Sequence, residues 1–231
     1  MPTITTRDGT AVLAGVLAMI AGYVDAYGYL TYQTFLSFMS GNTTITGYTL
    51  GQRHLAAAVP SLVAIVGFVG GATFGVALTH AHERQSKRIA FAVVASLLSV
   101  AIIVARFTRL TELCQIAIVS IAMGIMNSTV TRVGSESVSL TFVTGTLSKI
   151  GSHLALAWAR APVSNAASPS DTHARRVGQL TGVWGAFLMG AILGGVTTPH
   201  FAEWTLAPPV VILFVLSALG HGVSPRNGHD A

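Results

Sequence analysis

Apolar residues arrive along this chain in long blocks, not at the alternating or one-face intervals of a soluble fold. Six blocks stand out: Ala11–Leu30, Leu55–Thr79, Ile89–Ala105, Leu113–Thr131, Val177–Thr198 and Ala207–His221. Most are about 17–25 residues, the length at which a helix rising about 1.5 Å per residue crosses a hydrocarbon core of about 30 Å. Inside lipid every backbone N–H and C=O must be satisfied within the protein, which a helix achieves on its own. The pattern therefore predicts an all-α polytopic membrane protein, a single membrane domain over residues 1–231 with about six transmembrane helices. The first block follows only Arg7, which Asp8 offsets, so it reads as a span and not as a secretory signal.

Two intervening stretches, Thr31–His54 and Arg132–Arg176, contain runs rich in Ser, Thr and Gly yet nearly free of charge. Such runs suit neither lipid exposure nor an ordinary loop, so each predicts a semi-polar re-entrant or broken-helix element. Orientation follows from Lys and Arg, which favour the cytoplasmic side. With the N-terminus inside, six spans leave Arg7, Arg84, Lys87, Arg88, Arg132, Lys149, Arg160, Arg175, Arg176 and Arg226 inside, and only Arg53, Arg106 and Arg109 outside. If both semi-polar stretches crossed fully, making eight spans, Arg84, Lys87, Arg88 and Arg132 would move outside and Lys149 would be buried. The asymmetry favours six spans with both termini cytoplasmic. The run Pro162–Thr172 has the Pro, Ser and Asn content of a flexible loop, covering about residues 160–176.

Composition agrees with this picture and removes several function classes. Hydrophobic residues make up 52% of the chain and charged ones 9%, against roughly 25% charged in an ordinary soluble domain. The net charge of +5 is spread over short loops and forms no patch for nucleic acid. With Cys114 the only cysteine, no intramolecular disulfide or thiolate metal cluster can form. His80 and His82 share one loop and read as a solvated turn, and no cofactor or metal is expected. No HExxH, CxxC, Gly-x-Ser-x-Gly or P-loop pattern is present, so an enzyme is not the expected class. The expected partners are the lipid bilayer, a small solute and a proton or cation.

The chain also resembles itself. Phe38-Met-Ser40-Gly41-Asn42-Thr-Thr-Ile-Thr-Gly47 matches Phe142-Val-Thr144-Gly145-Thr146-Leu-Ser-Lys-Ile-Gly151 in register. Phe68-x-x-Gly71-Ala72-x-x-Gly75 matches Phe187-x-x-Gly190-Ala191-x-x-Gly194, and Gly22-x-x-Asp25 matches Gly124-x-x-Asn127. Repeat one covers about residues 11–107 and repeat two about 111–221, each with three spans and one semi-polar element. An odd number of crossings inverts the second repeat relative to the first. Inverted repeats recur in secondary transporters, where broken helices from the two halves form the substrate site near the midplane.

At these residues the chain resembles the YoaK-type bacterial membrane proteins, the domain-of-unknown-function family numbered 1275. The likeness rests on Gly22-Tyr-Val-Asp25, Phe38-Met-Ser40-Gly41-Asn42, Met123-Gly-Ile-Met-Asn127 and Thr141-Phe-Val-Thr144-Gly145-Thr146-Leu147. It implies a polytopic inner-membrane protein of about six spans with no settled biochemical activity. Met126 stands where the resemblance would place Gln.

The candidate solute or ion pathway comprises Asp25, Ser40, Gly41, Asn42, Asn127, Thr144, Gly145 and Thr146. Asp25 is the one acid inside a clear span, and an intramembrane carboxylate is costly unless it serves a cavity or a partner. Gly41 and Gly145 allow the backbone to break, and the neighbouring hydroxyl and amide groups can satisfy the freed N–H and C=O groups. The glycines spaced by four, Gly67, Gly71 and Gly75 with Gly190 and Gly194, read as close helix-packing faces. Tyr23, Tyr27, Tyr29 and Tyr32 read as an interfacial belt, and Glu112, Glu136, Glu203 and Asp171 as solvated. Three roles fit: a secondary transporter or permease for a small solute, a membrane-embedded scaffold or accessory subunit, and a membrane enzyme centred on Asp25 and Asn127.

The charge asymmetry generates a topology prediction. In a Cys114→Ser background, Ser86→Cys and Ala167→Cys should be labelled only after the membrane is opened. Thr108→Cys should react with an impermeant reagent in intact cells, and outside labelling at position 86 would instead support eight spans.

Overall fold

A computed structural model describes residues 4–81, 85–107, 112–129, 132–133, 136–137, 143–163 and 171–219. Among these are eight α-helices: α1 (Ile4–Tyr32), α2 (Met39–Gly51), α3 (Leu55–Ala81), α4 (Ser86–Phe107), α5 (Glu112–Thr129), α6 (Val143–Trp158), α7 (His173–Phe201) and α8 (Ala207–Leu219). A two-residue antiparallel pair, β1 (Arg132–Val133) with β2 (Glu136–Ser137), follows α5. Five stretches are long and apolar enough to cross a bilayer: Gly9–Tyr32, Leu55–Ala81, Ser86–Arg106, Glu112–Thr129 and His173–Leu219.

The last of these stretches is not one rod. Helix α7 stops at Phe201, Ala202 takes a left-handed φ of 48°, and a 3₁₀ segment, Ala202–Leu206, leads into α8. Helix α8 then runs back along α4, with Ser217 Oγ donating to the Arg88 carbonyl at 2.9 Å. Arg106, at the far end of α4, faces Glu203 just before α8 at 3.9 Å. Helices α2 and α6 have 13 and 16 residues, or about 20 and 24 Å of rise. Both fall short of a hydrocarbon core of about 30 Å, which the 13 residues of α8 reach only together with the five-residue 3₁₀ segment that leads into them.

Glycine decides which helices lie together. A methyl added at Gly22 of α1 would overlap the Phe187 carbonyl of α7, and one at Gly190 of α7 would overlap the Met19 carbonyl of α1. At Gly194 it would stand 2.5 Å from the Tyr23 carbonyl oxygen. The same arrangement joins α5 to α3, where Gly124 meets the Phe68 carbonyl, Gly71 the Ile121 carbonyl, and Gly75 the Ile125 backbone beside Ser128 Oγ. Residue numbers rise together along each crossing, so α1 runs parallel to α7 and α3 parallel to α5. Helices of equal apolarity to lipid gain little from burying Leu against Leu, so backbone approach through small residues supplies the packing.

Helices α1 and α5, by contrast, oppose one another. Tyr32, the last residue of α1, donates to Gln115 Oε1 in the first turn of α5. Strand β1, just beyond the other end of α5, also touches α1. The buried centre holds Leu17, Val24, Leu98, Met123, Ile125 and Met126, while Val66, Val76, Ile192 and Val196 point outward from α3 and α7. These outward apolar side chains form the face a bilayer would cover.

Several expectations need correction. The tyrosines are not all an interfacial belt: Tyr23 and Tyr27 are 8% and 2% exposed. Tyr23 is bonded to Thr197 Oγ1 at 2.8 Å and Tyr27 to the Tyr32 hydroxyl at 3.1 Å, because α7 and α5 cover the faces on which they stand. Asp171 is not solvated either: Arg176 clamps it through Nε and Nη2, at 3.1 and 3.0 Å, as α7 begins. His80 is exposed but belongs to the last turn of α3 and not to a loop, and His82 lies outside the described residues. So do residues 164–170 of the loop at 160–176.

The glycine crossings generate a matched-pair prediction. Gly71→Ala and Gly190→Ala should each lower the thermal stability of purified protein, by about 1–3 kcal/mol for an overpacked contact. Gly70→Ala and Gly195→Ala, whose added methyls meet no atom within 4 Å, should leave stability unchanged or raise it through better helix propensity.

Candidate functional site

Helix α1 ends at Tyr32 because Gln33 turns left-handed, with φ 54°. Its N–H bonds back to the Tyr29 carbonyl at 3.0 Å, a helix C-terminal closure usually given to glycine. The chain then folds back along α1 instead of leaving it. Gly28 makes room: a methyl there would lie 2.5 Å from Leu36 Cγ and 2.8 Å from the Thr34 carbonyl oxygen.

Asp25, two turns back along α1, receives this returning segment. Its Oδ1 accepts the N–H groups of Leu36, Ser37 and Phe38 at 2.9, 2.7 and 3.3 Å, and its Oδ2 accepts the Ser37 hydroxyl at 2.7 Å. The carboxylate is 4% exposed. Three backbone donors ahead of a helix form an anion-binding concavity, here filled by the protein's own side chain. A buried carboxylate held in this way is compensated for much of its lost hydration.

Asn42, fully buried, closes the same turn from the α2 side. Its Oδ1 accepts the Phe35 N–H at 3.0 Å and its Nδ2 donates to the Phe35 carbonyl at 2.6 Å, so the amide pairs with both backbone groups of one residue as a strand neighbour would. Gly41 lies beneath two rings, and a methyl on it would stand 2.6 Å from Phe38 Cδ1 and 2.9 Å from Phe35 Cδ2. Phe35 meets Phe38 edge-on and stacks on Tyr29, with centroids 5.3 and 4.9 Å apart. Ser40 is exposed, and its carbonyl accepts the Thr44 hydroxyl at 3.1 Å.

The first half thus brings Asp25, Gly41 and Asn42 around one turn. In the second half Asn127 is half-buried near the end of α5, while Thr144, Gly145 and Thr146 open α6 as exposed, half-buried and buried positions. Most of the intervening segment, including Thr141 and Phe142, lies outside the described residues. Helix α6 is tied to α7 by a buried imidazole pair, His153 Nδ1 to His173 Nδ1 at 2.9 Å. Among the described residues no group of three or more His, Cys, Asp or Glu could hold a metal ion.

The sequence pattern of the family described as "Protein of unknown function (DUF1275)" matches residues 13–219. The chain belongs to that family. It is 25% identical over 210 residues to a Bacillus subtilis protein called UPF0700 transmembrane protein YoaK, covering 87% of this chain and 90% of the relative. It is 30% identical over 216 residues to UPF0700 transmembrane protein RA0705 of Rhizobium meliloti, covering 93% and 87%. No solved structure matches the chain. Membership in a transmembrane family agrees with the apolar helices, so the DUF1275 fold seen here is one of several membrane-length helices.

Reading the sequence missed the partners that give this DUF1275 site its shape. Ser37 and Gly28 carry no motif of their own, and their roles depend on the chain doubling back onto α1. Gln115 was legible as a polar residue one turn inside an apolar block. The two histidines were not, being far apart in sequence.

The hydrogen bonds at Asp25 generate a graded prediction. Asp25→Ala leaves three N–H groups without their acceptor, so hydrogen exchange over residues 34–39 should accelerate sharply. Ser37→Ala removes one bond to the carboxylate, worth about 1.5–3 kcal/mol, and should accelerate exchange much less. Equal protection in the two variants would show that the turn holds without the carboxylate.

Proposed function

We propose that the protein is a secondary transporter or permease for a small solute, built from two halves of opposite orientation. The observation that carries this reading is the reciprocity of the glycine crossings. Met19, Gly22 and Tyr23 of α1 meet Phe187, Gly190, Ala191 and Gly194 of α7, as Ile121, Gly124 and Ile125 of α5 meet Phe68, Gly71, Ala72 and Gly75 of α3. Every residue keeps the same spacing in both crossings. A two-fold relation exchanging α1 with α5 and α3 with α7 would account for this, and the opposed directions of α1 and α5 support an axis lying in the membrane plane.

On this reading the six crossings are α1, α3, α4, α5, α7 and α8, with both termini cytoplasmic in the inner membrane. The short helices α2 and α6 are the broken elements of the two repeats. The pathway residues are Asp25, Ser40, Gly41 and Asn42 in one half and Asn127, Thr144, Gly145 and Thr146 in the other. Solute is moved and not chemically changed, with a proton or cation as the coupling species.

One observation favours a second reading, a membrane-embedded scaffold. Asp25 and Asn42 are fully engaged in holding their turn, as a static part would require. Flux into proteoliposomes, tested across solute classes, separates the two because a scaffold moves nothing.

If a solute moves, Gly41→Leu and Gly145→Leu should each abolish flux while leaving membrane insertion intact. Asp25→Asn, which keeps an acceptor for the turn but removes the charge, should retain solute exchange and lose accumulation driven by an ion gradient. Continued uphill accumulation would confine Asp25 to holding the turn.

A further inference from the structure

The transporter reading requires parts that move against one another, and the packing separates contacts that can move from contacts that cannot. We propose that the moving units are not the two sequence halves but two crossed bodies, α1 with α7 and α3 with α5, each drawn from both halves. This inference rests on the transport reading.

Within each body, glycines on both helices set backbone against backbone. Gly22, Gly190 and Gly194 do so between α1 and α7, and Gly124, Gly71 and Gly75 between α3 and α5. Close-packed surfaces without flexible side chains have two choices, to stay together or to separate completely. Sliding by part of a turn would drive a Cα into a neighbouring carbonyl. Each crossed pair is therefore a rigid unit.

Between the bodies the contact has a different character. At the Tyr32 end of α1 it is made by side-chain tips: the Tyr32 hydroxyl, held by Tyr27 Oη of the same helix at 3.1 Å, donates to Gln115 Oε1 on α5. Hydrogen bonds of this kind are worth little net of the partners they replace, and they can open and re-form without repacking a helix. Gln115 and Tyr32 are both half-buried. The Tyr32–Gln115 bond is a closure between the bodies.

Helix α2 is fastened to both. Its leading turn is bound to Asp25 of α1, and Thr46 in its middle is bonded to Ser61 of α3 at 2.8 Å. Movement of one body against the other must therefore be taken up at α2 and the turn at residues 33–38, and at α4 with the 3₁₀ segment, which join α5 to the end of α7. Of the residues singled out from the sequence, Asp25, Gly41 and Asn42 stand at this joint.

Paired spin labels in proteoliposomes, in a Cys114→Ser background, test the assignment without knowledge of the solute. Val12, Thr181 and Val76 are exposed positions on α1, α7 and α3. The pair Val12→Cys with Thr181→Cys lies within one body, and the pair Val12→Cys with Val76→Cys lies across the two. Gln115→Leu, and separately Tyr32→Phe, should shift or split the across-body distance distribution and leave the within-body distribution unchanged. An equal shift in both pairs, or none in either, would overturn the two-body assignment. Flux is read separately. Bodies that move in a protein that carries no tested solute would sustain the assignment and count against the transport reading alone. Flux with both distances fixed would do the reverse.

Discussion

Where two helices meet inside lipid, apolar side chains are no better off against each other than against acyl chains. Association must come from closer contact than side chains allow, and here it comes from carbonyl groups seated on glycine. The crossings at Gly22 with Gly190 and at Gly124 with Gly71 are so close that no side chain fits between the backbones. Everything else is arranged around them. They fix α1 parallel to α7 and α3 parallel to α5, and leave the remaining faces to α4 and α8, which lie antiparallel with Ser217 bonded at the Arg88 end.

The turn at residues 33–38 fits into that arrangement. Because α7 covers one face of α1, the face carrying Asp25 and Gly28 is free to receive the returning chain. A lone carboxylate in this setting would be prohibitively exposed to a low-dielectric surrounding, and three backbone N–H groups would be equally costly without an acceptor. Each removes the other's penalty. Polar groups are thereby accommodated against a helix, in an element too short to span.

Much of this was legible from the chain itself, for physical reasons. The apolar blocks set the helices, since block length maps directly onto membrane thickness. The matched Phe-x-x-Gly-Ala-x-x-Gly segments marked the crossings, because only glycine permits such approach and so it had to recur at fixed spacing. Asp25, Gly41 and Asn42 stood out because polar residues are rare in such blocks. Their partners were not legible. Ser37 and the N–H groups of Leu36 and Phe38 acquire meaning only through a reversal that Gln33 and Gly28 permit. The burial of Tyr23 and Tyr27 was misread for a related reason: a tyrosine near a span end looks interfacial until the helix that covers it is known. Asp171 was read as solvated because its partner Arg176 falls beyond the start of a helix, in a stretch whose composition suggests a loop.

The crossed pairing has a consequence for how the protein is made. Tyr23 of α1 and Thr197 of α7 are 174 residues apart in the chain, so α1 leaves the ribosome long before the helix that covers its glycine face. Helix α3 meets α5 much sooner. During synthesis, then, the α3–α5 unit can assemble while α1 remains a single helix in the lipid, its buried carboxylate shielded by its own turn. Asp25 would in that interval have no other protection, so the short loop that folds back onto it also serves as its escort through biogenesis.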